Sequence, residues 1–191
     1  MGKKKILICS TGLPGSGKGV LAEAANELGL PVISMGDIVR RETAKMKGVI
    51  ATQSVMEVMK EYREKFGMDV FARLTAKEIE KEKSQIVFID GVRCPEEIEF
   101  FRSKDWKIVV IAVLASPRER FRRLLRRRRV DDIESYDEFL ERDRKELELG
   151  LWRVIIYADK FFVNEGITRE EALKEAVRII KDVLIEIEKE S

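Results

Sequence analysis

Eight consecutive residues, Gly12-Leu13-Pro14-Gly15-Ser16-Gly17-Lys18-Gly19, have the composition of a loop that wraps phosphate. Glycines let backbone N–H groups turn inward onto phosphate oxygens, and a lysine at the end of the loop reaches the β- and γ-phosphates of a nucleoside triphosphate. An apolar run precedes the loop and a helical pattern follows it, so a helix N-terminus adds its partial positive charge. Gly12 to Val20 are therefore expected to bind ATP, with Lys18 acting directly on the phosphates. The usual form of this motif places Ser or Thr after the lysine, and that hydroxyl ligates Mg²⁺. Here Gly19 and Val20 follow, and neither side chain has an oxygen. Mg²⁺ must then rest on phosphates, water and another side chain.

Ile86-Val87-Phe88-Ile89-Asp90 is an apolar run ending in an acid. A carboxylate at the carboxyl end of a strand beside a phosphate loop can hold Mg²⁺ or its water, which makes Asp90 the candidate metal group, acting through water. Without that context, Asp90 before Gly91 reads as a turn aspartate. Asp37 and Arg40 stand one turn apart, and taken alone they read as a helix N-cap and its neighbour. Arg118, Arg120, Arg122, Arg123, Arg126, Arg127, Arg128 and Arg129 crowd one segment, where Phe121, Leu124 and Leu125 form an apolar stripe. That pattern predicts a docked helix with arginines on its other faces. Such a run reads as phosphoryl-neutralising groups, as a solvated basic face, or as a nucleic-acid grip. Phe121, Tyr136 and Phe139 follow core-like spacing and offer no stacking platform, so nucleic acid is not the expected partner.

Several of these segments resemble nucleotide kinases. Val32 to Arg40 resembles the stretch that opens the monophosphate-binding part of adenylate kinases, where an arginine binds the acceptor's phosphate; this maps onto Arg40. The same stretch is similar to dephospho-coenzyme A kinases, where an aspartate approaches the acceptor hydroxyl; this maps onto Asp37. Asp90-Gly91-Val92-Arg93 resembles the Asp-Gly-Phe-Pro-Arg of adenylate kinases, with the arginine arriving one residue sooner. Arg129-Val130-Asp131-Asp132 resembles the far side of their lid, without the inserted segment of long-lid forms. Ala158-Asp159 and Asn164-Glu165-Gly166 resemble the last strand of dephospho-coenzyme A kinases.

In order, these pieces cover nearly the whole chain, which is similar to the archaeal adenylate-kinase-related P-loop kinases. The resemblance implies an α/β P-loop fold, with a five-stranded parallel sheet of order 2-3-1-4-5, helices on both faces and a short lid. It implies γ-phosphoryl transfer from ATP with Mg²⁺ to a small-molecule acceptor, a nucleoside monophosphate. Arg40 and Arg93 would hold that acceptor, and Arg123, Arg127, Arg129 and Arg142 would act from the lid. A hydroxyl acceptor such as dephospho-coenzyme A, with Asp37 as base, is the rival within the class. A regulatory or nucleic-acid-linked NTPase is the rival outside it. Positioning and charge neutralisation carry such a reaction, so the absence of histidine is no obstacle to it.

The elements that must place these residues are readable from periodicity and breakers. Strands are predicted at Ile6 to Ser10, Val32 to Ser34, Ile86 to Ile89, Lys107 to Leu114 and Lys160 to Val163. Helices are predicted at Gly17 to Leu28, Asp37 to Lys47, Thr52 to Lys65, Met68 to Lys83 and Pro95 to Arg102. An arginine-rich helix after Ser116-Pro117, a helix at Tyr136 to Glu148, and one capped by Thr168 with Glu171 follow. Strands apolar on both faces and alternating with helices predict a parallel sheet covered on both sides. One domain over 1–191 is expected, with an acceptor-binding helical part at about 36–84 and a lid at about 126–145.

Composition narrows the chemistry. The chain has no histidine, which excludes Ser-His and Cys-His catalysis and any His-ligated metal. Cys9 and Cys94 make neither a disulfide framework nor a zinc site. Basic and acidic residues nearly balance, 37 against 35, so global charge does not predict nucleic-acid binding. Charged residues make up 38%, rich in Glu, Lys and Arg, a composition suggesting heat adaptation. No apolar run reaches membrane-spanning length, and a cytoplasmic location is expected.

Overall fold

The computed structural model describes residues 4–48, 52–127, 133 and 135–190. In chain order the elements are β1 (Ile6–Thr11), α1 (Gly19–Glu27), β2 (Val32–Ser34), α2 (Met35–Lys47), α3 (Thr52–Phe66), α4 (Val70–Ile79) and β3 (Ile86–Asp90). Then follow α5 (Pro95–Ser103), β4 (Lys107–Leu114), α6 (Pro117–Arg127), α7 (Tyr136–Glu148), α8 (Leu151–Ile156), β5 (Lys160–Val163) and α9 (Arg169–Lys189). The five strands form one all-parallel sheet in the order β2-β3-β1-β4-β5, as expected.

Side-chain alternation along the strands assigns the two faces. Leu7, Cys9, Val87 and Ile89 point to the face covered by the helical part, packing with Met35, Val39, Met59, Phe71, Ile79, Phe101 and Val154. Ile6, Ile8, Phe88, Ile111 and Phe162 point to the other face. There α1 supplies Leu21, Ala24 and Ala25, and α9 supplies Ala176, Ile180 and Val183. A third, small cluster of Leu124, Ile133 and Phe139, with Phe121 against it, docks α6 to α7. That cluster uses Phe121 and Phe139 as core, as their spacing predicts, whereas Tyr136 and Leu125, expected with them, stand exposed at its edge. Cys9 and Cys94 are free and buried, and burial pushes both thiols up, away from reactivity.

Several boundaries differ from expectation for local reasons. Helix α1 begins at Gly19 rather than Gly17, because Gly17 has φ +90° and cannot open a right-handed helix. It closes on Gly29, φ +73°, with Leu30 N–H donating back to Ala25 at 2.9 Å, a Schellman arrangement. Helix α2 begins at Met35, and its N-cap is Ser34, not Asp37: Ser34 Oγ accepts from Asp37 N at 3.2 Å. Helix α4 is shorter than the expected Met68 to Lys83, because Gly67 at φ +95° opens a separate turn and Lys81 and Glu82 close with three-residue turns. Helix α8, six residues long, has too few turns to show a period. The Thr168–Glu171 capping box stands as expected. Among the described residues no helix is long and apolar enough to cross a membrane.

Candidate functional site

A cavity of about 810 Å³ opens at the carboxyl ends of the strands and is walled by the phosphate loop, β3, α6 and α7. The loop is shaped by three glycines with φ of +145° at Gly12, +81° at Gly15 and +90° at Gly17. Each is also sterically required. A Cβ on Gly12 would lie 2.5 Å from Val113 O, one on Gly15 would lie 2.5 Å from Arg120 O, and one on Gly17 would collide with Asn164 Nδ2.

A loop that turns N–H groups toward an anion turns its carbonyls away from it, and buried carbonyls need donors. Here the donors come from distant elements. Pro14 O accepts from Arg120 Nη1 at 3.1 Å. Ser16 O accepts from Arg123 Nη1 at 3.1 Å and from Asn164 Nδ2 at 3.0 Å. Arg120 is itself buried; its guanidinium takes both oxygens of Asp143 on α7 and stacks over Phe139. The loop is thus held from outside by α6, α7 and the end of β5. No side chain caps α1; Val20 and Leu21 N–H donate to Gly17 O and Lys18 O at 3.1 and 2.9 Å, and the Gly19–Val20 start of the helix lines the cavity.

Lys18 donates to Gly12 O at 2.6 Å and Leu13 O at 3.3 Å, curled back onto its own loop. Burial pushes its ammonium down to about 8, against the opposing pull of the Asp90 carboxylate. Asp90 ends β3 at the cavity wall, and Ser10 Oγ donates to its Oδ1 at 2.7 Å. Arg93 follows: its Nη1 donates to Glu146 Oε1 at 3.0 Å, and its backbone N–H to Glu97 Oε2 at 2.8 Å. Glu97 is buried and pairs through Oε1 with buried Arg63 at 3.2 Å, so α3 reaches the Arg93 loop.

The expected site residues divide by position. Gly12, Pro14, Gly15, Gly17, Lys18, Gly19, Val20, Arg40, Asp90, Arg93, Arg123, Arg127 and Arg142 line the one cavity. Leu13 and Ser16 belong to the loop without lining the cavity, and Ser16 Oγ is buried without a partner among the described residues. Asp37 does not line it; its carboxylate is largely exposed and pairs with Arg40. Arg123, expected as a lid group, reaches Glu119, Ser16 O and Asn164 O, the last at 2.8 Å. Arg129 lies outside the described residues, as do the other lid positions 128, 130–132 and 134. Ser10, Arg120, Asp143 and Glu146 were not singled out by sequence, and Asn164 entered only through the resemblance of its Asn-x-Gly to dephospho-coenzyme A kinases. Arg120 stands undistinguished among its neighbours, and the partners of the others are remote in sequence.

The charge of the wall favours anions. Lys18, Arg40, Arg93, Arg122, Arg123, Arg126, Arg127, Arg142 and Arg169 outnumber Glu23, Asp90, Glu119 and Glu146. Among the described residues there is no cluster of three or more metal-ligating side chains. Mg²⁺ does not need one, since it binds through one or two carboxylates plus substrate phosphates and retained waters. Asp90, with Oδ1 taken by Ser10, fits that requirement.

A family model described as an AAA domain matches residues 11–139. A UPF0200 protein of Staphylothermus marinus is 40% identical over 181 residues, covering 95% of this chain and 94% of that one. A UPF0200 protein of Pyrococcus furiosus is 44% identical over 164 residues, covering 84% and 88%. Among solved structures, TT1252 from Thermus thermophilus superposes with a TM-score of 0.65 at 22% identity, over 96% of this chain and 98% of that one. A shikimate kinase from Bacteroides thetaiotaomicron superposes with a TM-score of 0.59 at 18% identity, over 94% and 98%. At these identities the structural likenesses establish a shared P-loop kinase fold.

Proposed function

The chain belongs to the AAA domain family and to the UPF0200 proteins, and on that premise we propose that it is an ATP-dependent phosphotransferase acting on a nucleoside monophosphate. The observation that carries this reading is that the phosphate loop and an arginine-rich wall share one cavity. Lys18, Gly15 and Gly17 line it together with Arg40, Arg93 and Arg142. A donor triphosphate and an anionic acceptor both need neutralising charge, and such a wall supplies it.

In this reading the loop and the N-terminus of α1 hold the donor's phosphates, and Lys18 leaves the Gly12 and Leu13 carbonyls to reach them. Asp90 would hold a donor-bound Mg²⁺ through water, and that ion would supply neutralising charge for the transferred phosphoryl. Arg40 and Arg93 grip the acceptor's phosphate, while Arg127 and Arg142 close over the transferring group. Arg123 serves mainly to brace the loop, since its donors already reach the loop and the Asn164 backbone. An acceptor phosphate is already a nucleophile near neutral pH and needs no protein base. That agrees with the position of Asp37 away from the cavity wall.

The test is a coupled assay with ATP, Mg²⁺ and a panel of nucleoside monophosphates, dephospho-coenzyme A and other hydroxyl compounds. The expected result is ADP formation that depends on a nucleoside monophosphate, with the matching diphosphate as product. Transfer only to a hydroxyl compound, or ATP hydrolysis without transfer, replaces this reading with the corresponding rival.

A further inference from the structure

The phosphate loop lacks the hydroxyl that would follow Lys18, but β1, which leads into the loop, carries a hydroxyl with a carboxylate partner. Strands β1 and β3 run parallel with Ser10 opposite Asp90. Ser10 is fully buried; its Oγ donates to Asp90 Oδ1 at 2.7 Å and accepts from Gly91 N–H at 3.2 Å. A hydroxyl has one proton to give. With Gly91 as donor to the oxygen, that proton is committed to Asp90. The bond fixes the rotation of the carboxylate and occupies one oxygen. The other, Oδ2, has no hydrogen-bond partner among the described residues, and Asp90 lines the cavity. The adjacent Thr11 donates from Oγ1 to Val92 O at 2.9 Å, so two successive β1 hydroxyls pin the segment carrying Asp90 and Arg93.

A hydroxyl after the lysine normally ligates the metal itself. Here position 19 is an exposed glycine, with nothing within 4 Å of where its Cβ would stand. We propose that Ser10 is a positioning residue that offsets this loss from one layer behind, holding Asp90 so that its free oxygen meets a water of the nucleotide-bound Mg²⁺. Second-layer partners of this kind orient the groups that face a metal, and their removal weakens metal affinity. The proposal rests on reading the cavity as a Mg²⁺–ATP site.

The experiment measures binding of a non-hydrolysable ATP analogue by calorimetry, in EDTA and at rising Mg²⁺. It compares the parent, Ser10→Ala, Ser10→Cys, Asp90→Asn and the Ser10→Ala/Asp90→Asn double variant, with a thermal melt confirming that each is folded. Ser10→Ala and the near-isosteric Ser10→Cys are expected to keep the parent's affinity in EDTA. They are expected to lose about tenfold of its Mg²⁺-dependent gain, the scale of one hydrogen bond to a charged group. On the Asp90→Asn background, Ser10→Ala is expected to add nothing. If Ser10→Ala fails to fold, Ser10→Cys carries the same test. The proposal is overturned if both variants keep the full Mg²⁺ gain, or lose affinity equally with and without metal. It is also overturned if Ser10→Ala has its full effect without Asp90. If the parent binds no analogue in either condition, the Mg²⁺–ATP reading itself falls, and this inference with it.

Discussion

Burial pushes the Lys18 ammonium from an ordinary 10.5 down to about 8, and this gives the phosphate loop a pH signature. Bound phosphate favours the charged lysine, so nucleotide binding draws a proton onto Lys18 wherever the free protein has lost it. Affinity is therefore expected to be level below about pH 8 and to fall as pH rises above it. In Lys18→Ala, affinity is expected to be weaker throughout and flat across the same window. Calorimetry from pH 6.5 to 9.5 in buffers of different ionisation enthalpy reads both the affinity and the proton uptake. Parent and variant with parallel profiles would remove Lys18 from phosphate binding. The same shift has a stability consequence of definite sign. Between about 8 and 10.5 the unfolded chain holds a proton that the folded chain has released. Stability from this group therefore rises with pH across that window, and its burial opposes folding most below it.

At the scale of elements, the loop's conformation depends on helices that enter the chain a hundred residues later. Arg120 from α6 links Pro14 O to Asp143 of α7, with Nη1–Oδ1 at 2.8 Å and Nη2–Oδ2 at 2.5 Å. Both partners are buried or nearly so, and truncating one leaves the other's charge uncompensated. Breaking such a pair costs about 3–5 kcal/mol, whereas replacing both partners by apolar groups costs far less. Arg120→Ala is accordingly expected to lose about 3–5 kcal/mol in denaturant unfolding, and Arg120→Met/Asp143→Leu to recover much of it. The double variant still lacks the donor to Pro14 O, so its nucleotide affinity is expected to stay below the parent's. Equal stability of Arg120→Ala and parent would show that the brace contributes nothing.

This brace also marks where the sequence ceases to be legible. Strands β2, β4 and β5 begin and end at the residues where apolar runs meet Pro31, Trp106, Ala115, Asp159 and Asn164, because local composition decides them. The P-loop residues, Asp90 and Arg93 were readable because each sits at a strand end, where a parallel sheet opens its ligand crevice. Arg120 was not separable from the run, and Arg123 was read as a lid group rather than a brace, since only the fold determines which arginine meets a loop carbonyl. Asn164 was legible only as part of a resembling Asn-x-Gly, and its bond to Ser16 across 148 residues carries no local signal. Asp37 shows the converse: its spacing to Arg40 was real and the pair forms, but only Arg40 lines the cavity while the Asp37 carboxylate is largely exposed.

At the scale of the whole molecule, the charge is nearly balanced in number yet uneven in place. The chain carries 37 basic and 35 acidic residues. Away from the cavity, cations are matched on their own helices: Arg144 with Glu141 and Glu148, and Arg178 with Glu175 and Asp182. Exposed pairs of this kind are each worth little, but many together suit the charge-rich composition. Around the cavity the cations outnumber the carboxylates, so the positive potential is focused in a cleft rather than spread along a face. Part of the arginine run is engaged within the protein: Arg120 with Asp143, Arg122 with Glu119, and Arg123 with Glu119 and loop carbonyls. Phe121 and Phe139 are packed with α6 and α7 and do not form an open stacking platform. A polynucleotide needs a continuous track of phosphate contacts, and its affinity then falls steeply with salt. A small polyanion needs only the cleft. The protein is therefore expected to bind ATP with an association rate that declines as ionic strength rises, while binding single-stranded or duplex nucleic acid weakly at physiological salt. Stopped-flow with a fluorescent nucleotide and anisotropy with labelled oligonucleotides measure the two. Tight oligonucleotide binding, steep in salt and lost in Arg126→Ala/Arg127→Ala, would reverse the assignment and make the cleft one end of a nucleic-acid track.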